Sequence, residues 1–149
     1  MPDLFERLML LKKSPVFSMV ATGDLRVVAQ ALQQQEYFTG DRVFEINQQG
    51  DYLYLLVSGR IGISIEQDPT SARFIATLGP GDSFGEMNLL DDLPRSATAQ
   101  VLEDSTVLAL EKSRLKGLIQ SYPDISIGML RSLSLRIREA NTRLLKAKD

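Results

Sequence analysis

The sequence predicts a mainly β domain of the sandwich or barrel type, flanked by helices. Three observations carry that prediction. Between Gln34 and Leu110, short segments rich in strand-forming residues follow one another, each closed by polar turn residues. A spacing of roughly 8–12 residues is typical of a sandwich or barrel. Helical periodicity is confined to the two ends of the chain, so no long helix separates the strands as a parallel α/β sheet requires.

The elements follow in order. Leu4, Phe5, Leu8, Met9 and Leu11 recur at helical spacing and predict a short amphipathic helix over 3–12, broken at Ser14-Pro15. Asp24 is the expected cap of a second helix carrying Leu25, Val28, Ala29 and Leu32. The strand-like segments are Gln34–Phe38, Arg42–Asn47, Tyr52–Val57, Ile61–Glu66, Arg73–Leu78, Ala97–Leu102 and Thr106–Leu110. Turns are expected at Thr39-Gly40-Asp41, Gln49-Gly50-Asp51, Ser58-Gly59-Arg60, Asp68-Pro69-Thr70-Ser71, Gly79-Pro80-Gly81-Asp82 and Glu103-Asp104-Ser105. Ser113 is the expected cap of a helix over 114–121. Pro123 starts a longer one, running to about Lys146. One domain over 1–149 is expected, with helices over 1–33, strands over 34–111 and helices over 112–149.

Composition narrows the function. The chain has 149 residues, 44% of them hydrophobic and 24% charged, and neither histidine nor cysteine. That excludes a Ser-His-Asp or Cys-His triad, an imidazole base, a thiolate nucleophile and a zinc thiolate site. What remains for catalysis is carboxylates, Lys, Ser/Thr and Tyr. Residues 131–149 carry Arg131, Arg136, Arg138, Arg143, Lys146 and Lys148 against Glu139 and Asp149, so the rest of the chain is acidic. An acidic body is a poor general binder of phosphate backbones, and no direct nucleic-acid contact is expected. The longest apolar run is Tyr52–Val57, far short of the ~20 residues that span a bilayer. No targeting signal appears, and a cytoplasmic location is the expectation.

The stretch from Gly81 to Thr98 carries the chemistry. Its glycines fit neither a dinucleotide fingerprint nor an ATP-binding loop. Glu86–Leu90 can form one or two helical turns just after Gly85, which leaves backbone N–H groups for an anion. Arg95, entered through Pro94, can fork onto two oxygens of one phosphate. Glu86 accepts hydrogen bonds and donates none, so it suits a hydroxyl on the far side of the same ligand. Taken alone, an acid and an arginine nine residues apart also describe an ion pair or two solvated charges.

The run Phe84-Gly85-Glu86-Met87-Asn88-Leu89-Leu90, followed by Pro94-Arg95-Ser96-Ala97-Thr98, resembles the phosphate-binding cassette of the cyclic nucleotide-binding domain family. That family includes the catabolite activator protein, the regulatory subunit of cAMP-dependent protein kinase and cyclic-nucleotide-gated channels. The similarity extends to Thr39-Gly40-Asp41, Tyr52–Gly59 and Leu78–Asp82, and covers essentially residues 4–145. Asn88 departs from the pattern, because the family usually has a small residue there.

The resemblance implies an eight-stranded antiparallel β-roll, with an N-terminal helix, a short helix in the cassette 84–97 and two C-terminal helices. It implies a cyclic nucleotide monophosphate, cAMP or cGMP, as ligand and no other cofactor. Arg95 would clamp the cyclic phosphate, helped by Gly85, Ser96 and Ala97. Glu86 would hold the ribose 2′-hydroxyl, Ile63 and Ile75 would line the base pocket, and Arg131 would cap the base. Occupancy would pass through the last helix to a fused or partner effector, so the chain is expected to be a stand-alone sensor or a module of a larger protein.

Leu130, Leu133, Ile137, Ala140 and Leu144 form a heptad seam on that helix and predict a homodimer, the alternative being that this face packs on its own β-domain. One alternative is a degenerate β-roll that docks a partner without nucleotide. Another is a metal-binding cluster of Glu86, Asp91 and Asp92, for which a polar loop is the simpler account.

Overall fold

Asp3 accepts a hydrogen bond from the Glu6 backbone N–H at 2.9 Å and caps α1 (Leu4–Lys13), one residue later than the periodicity suggests. The structure, a computed structural model, describes residues 2–66 and 73–147. The predicted turn Asp68-Pro69-Thr70-Ser71 lies outside the described residues. The second helix, α2 (Thr22–Ala31), begins before Asp24: the Leu25 N–H already reaches Ala21 O at 2.8 Å. Asp24 therefore sits in the first turn, where its charge suits the helix dipole, and is not the cap.

Six strands follow among the described residues: β1 (Gln33–Tyr37), β2 (Arg42–Phe44), β3 (Tyr52–Ser64), β4 (Phe74–Leu78), β5 (Ser83–Phe84) and β6 (Thr98–Glu111). A short helix, α3 (Met87–Leu90), lies between β5 and β6, and α4 (Lys112–Ser121) and α5 (Asp124–Ala147) close the chain. All pairings are antiparallel. The sheet runs β1-β6-β3-β4, with β2 also on β6 and β5 also on β3. The architecture is the helix-flanked β-roll that the sequence predicts.

Two predicted turns are bends within long strands. Ser58-Gly59-Arg60 does not end a strand: β3 continues, and its register with β6 shifts there. Gly59 has φ +97, and a Cβ on it would lie 2.1 Å from Ser105 Oγ. The Ser105 hydroxyl fills the gap, accepting from Arg60 N at 3.2 Å and donating to Glu103 O at 2.7 Å. Glu103–Ser105 is thus the facing half of one bulged bend. Taking β3 and β6 as two segments each recovers the eight strands that the resemblance implies. The segment Arg42–Asn47 shortens the other way. Only Arg42–Phe44 is strand, because Asn47 turns to φ +72.

The chain forms two compact units, Met1–Gln30 with Lys116–Asp149, and Ala31–Leu115. In the β unit, Phe44, Tyr54, Leu56, Ile61, Phe84, Val101 and Val107 belong to the buried core. Leu53 and Leu55 on the opposite face of β3 are buried too, which is why Tyr52–Val57 reads as an unbroken apolar run. In the helical unit, Gly128 brings α5 against Val20, where a Cβ would lie 2.6 Å from the Val20 Cα. Ser132 Oγ accepts the Met19 N–H at 2.9 Å and fixes the same crossing. Further along α5, Leu130, Ile137 and Leu144 are exposed and Leu133 is half-buried. Ser113 lies inside α4, one residue past its start, and its hydroxyl donates to Glu111 rather than capping the helix. No helix among the described residues is long and apolar enough to cross a membrane.

Candidate functional site

A cavity of about 240 Å³ opens in the β unit beside the 83–97 segment. Six of the eight residues singled out from the sequence line it: Ile63, Gly85, Glu86, Arg95, Ser96 and Ala97. Its size suits a small ligand, just under the roughly 300–1,000 Å³ of most small-molecule sites.

Arg95 dominates the site. Its backbone is pinned to the loop after β2, with its N–H on Gln48 O at 2.7 Å and its carbonyl accepting from Asn47 N at 2.8 Å. The side chain is 3% exposed. Nη1 donates to Gly85 O at 3.2 Å and Asn88 Oδ1 at 3.0 Å, and Nη2 donates to Tyr52 O at 3.0 Å. The Phe44 ring centre lies 3.9 Å from Cζ, within cation–π range.

Two glycines make room for this arrangement. A Cβ on Gly50 would sit 2.2 Å from Nε, and one on Gly85, already at φ +78, would sit 2.6 Å from Nη1. A side chain at either position would therefore collide with the guanidinium.

What Arg95 lacks is an anion. Among the described residues, no carboxylate oxygen comes within 4.0 Å of its guanidinium, and its buried Nε has no acceptor. Burial pulls its pKa down from the ordinary arginine value, against weaker upward influences of Tyr54 and Asp51. An anion brought against the guanidinium would offset the desolvation of the cation.

Glu86 stands at the N-cap position of α3, in αR conformation, and makes no capping hydrogen bond. The linker after α3 is held from two sides. Asn88 Nδ2 donates to Leu93 O, and Lys112 Nζ donates to Asp91 O and, at 2.6 Å, to Asp92 Oδ1. The proposed metal cluster does not assemble. Asp92 faces Lys112, Asp91 accepts the Leu93 N–H, and no group of three potential ligands occurs among the described residues.

Two expected residues lie elsewhere. Ile75 is 62% exposed and outside the cavity lining. The reason is register: β4 pairs Leu78 with Ile61 and Ala76 with Ile63, so alternation along the strand turns Ile75 to the opposite face. Leu78 is the β4 residue that lines the cavity. Arg131 is an exposed residue of α5, in the helical unit. The sequence reading also missed Phe44, Gly50 and Asn88 as neighbours of Arg95. The glycine read as a turn, Asn88 stood out only as a departure from the family pattern, and Phe44 carried no signal.

The family model for the cyclic nucleotide-binding domain matches residues 34–122, from β1 through α4. The chain belongs to that family. A cyclic AMP receptor protein of Thermus thermophilus is 34% identical over 90% of this chain and 62% of its own length. A cAMP-dependent protein kinase regulatory subunit of Debaryomyces hansenii is 33% identical over 77% of this chain and 25% of its own. The chain thus spans about three-fifths or less of these curated relatives. The N-terminal domain of a transcriptional regulator from Streptomyces coelicolor superposes with a TM-score of 0.80, at 24% identity, over 91% of this chain and 94% of that one. That likeness establishes the fold of this cyclic nucleotide-binding domain. Its cassette, 84–97, is the segment that carries Arg95 and lines the cavity.

Proposed function

We propose that the domain binds a cyclic nucleotide monophosphate, cAMP or cGMP, in the cavity beside 83–97 and acts as a non-catalytic regulatory module. The observation that carries this reading is the buried, anion-less Arg95 with its orphaned Nε. Arg95 clamps the cyclic phosphate, with the backbones of Gly85, Ser96 and Ala97 alongside. Glu86 accepts from the ribose 2′-hydroxyl, and Ile63 and Leu78 flank the base. The similarity to a cyclic AMP receptor protein and to a cAMP-dependent protein kinase regulatory subunit supports cAMP.

The output is read through α5 by an effector in the same or another chain. The ligand shifts that output only by its differential affinity for two arrangements of the domain. The exposed Leu130, Ile137 and Leu144, with half-buried Leu133, support a homodimer along α5. Sedimentation of the wild type and Ile137→Asp tests it: a dimer converted to monomer is expected, and a wild-type monomer contradicts it.

Thermal unfolding with and without each nucleotide tests the ligand. At about 100 times Kd the ligand adds ~2.7 kcal/mol of stability. No shift with either nucleotide would favour a β-roll that docks a partner without ligand.

A further inference from the structure

Asn88 stands where the family usually has a small residue, and it is buried. Its amide makes two contacts that an apolar side chain cannot. Oδ1 accepts Arg95 Nη1 at 3.0 Å, and Nδ2 donates to Leu93 O on the linker. The residue therefore ties α3, the linker and the guanidinium together.

We propose that Asn88 is a positioning residue that fixes the Arg95 guanidinium for an incoming phosphate. The inference rests on the cyclic-nucleotide reading of the same cavity.

The donor count gives its direction. Arg95 carries five N–H donors. Nη1 uses both of its own on Gly85 O and Asn88 Oδ1, and Nη2 uses one on Tyr52 O. That leaves Nε and the second hydrogen of Nη2 without an acceptor among the described residues. A phosphate that takes the second Nη2 hydrogen leaves the Asn88 contact in place. Asn88 thus does not compete with the ligand. It holds the guanidinium rigid beforehand and reduces the ordering that binding would otherwise require. Its second contact, to Leu93 O, extends the same hold to the chain entering Pro94 and Arg95.

The test titrates cAMP and cGMP into the wild type, Asn88→Ala, Asn88→Leu and Arg95→Ala. Relaxation of the Arg95 Nε–H signal is recorded in each ligand-free protein that keeps Arg95. Asn88→Leu keeps the volume of the amide without its acceptor, and serves if the alanine variant folds poorly. Both Asn88 variants should bind about tenfold more weakly, as loss of one hydrogen bond to a charged group implies. Their Arg95 Nε–H should be more mobile than in the wild type.

Wild-type affinity in both variants, with Arg95→Ala inactive, overturns the role of Asn88 and leaves the ligand reading standing. Weaker binding with an equally ordered Nε–H also overturns it, because the loss would then come from α3 alone. A wild type that binds neither nucleotide brings down both.

Discussion

Arg95 and Lys112 are both cations withdrawn from water in the β unit, 3% and 9% exposed, and the fold treats them differently. Lys112 meets the Asp92 carboxylate at 2.6 Å and the Asp91 carbonyl, so its charge is balanced and its task is to hold the linker. Arg95 meets only neutral oxygens, from Gly85, Tyr52 and Asn88, and keeps one buried N–H unpartnered. A buried charge without a counter-ion costs stability, and folded chains seldom keep one without a use. The difference supports the proposed role of Arg95 as the partner of an anion, with Lys112 part of the frame around it.

Four substitutions probe that contrast. The largest effect is expected from Arg95→Met, which keeps much of the stem and removes the charge. The ~2.7 kcal/mol of nucleotide-induced stabilisation should vanish, whatever the ligand-free protein loses through the stranded Gly85, Tyr52 and Asn88 acceptors. Nucleotide-induced stabilisation that survives the substitution would make Arg95 a structural residue like Lys112.

Gly50→Ala comes next. Its Cβ would sit 2.2 Å from Nε, so Arg95 must move or the loop must yield, at a cost of roughly 1–3 kcal/mol. Denaturant unfolding reads the cost, and titration should show weaker nucleotide binding. Unchanged affinity would mean that the observed seat of Arg95 is not the binding one.

Lys112→Met should destabilise the ligand-free protein by about 1–2 kcal/mol, because it strands the Asp91 carbonyl, and should leave the nucleotide-induced shift in place. Equal effects of the two substitutions would erase the contrast. The smallest effect belongs to Asp92→Asn. Asp92 is 89% exposed, so its pairing with Lys112 is screened and contributes about 1 kcal/mol or less. The loss should shrink in high salt, with nucleotide affinity untouched.

How much of this was legible in the sequence depends on the range of the interaction. Strands bounded by Gly-Asp turns were readable, since turn chemistry is local and Gly40 and Gly81 do adopt positive φ. Gly59 was misread for the same reason. A turn and a bulge both ask for a residue that tolerates positive φ, and only the facing Ser105, far along the chain, tells them apart.

The cassette motif placed Gly85, Glu86, Arg95, Ser96 and Ala97 beside one another because they are close in sequence. It could not place Phe44 under the guanidinium or Gly50 against its stem, which depends on how β2 and its loop return to the cassette. Ile75 lies off the cavity because the observed register pairs Ala76 with Ile63, and alternation turns the next residue to the other face. Arg95 was expected to need an anion; that its neighbours would all be neutral oxygens was visible only in the fold.

The most direct measurement is a calorimetric titration of cAMP and cGMP into the wild type and Arg95→Ala. The account predicts saturable binding of at least one nucleotide by the wild type. Removing one partner of a buried charge pair costs about 3–5 kcal/mol, so the variant should bind more than a hundredfold more weakly. Equal heats and equal affinities in the two proteins would contradict it.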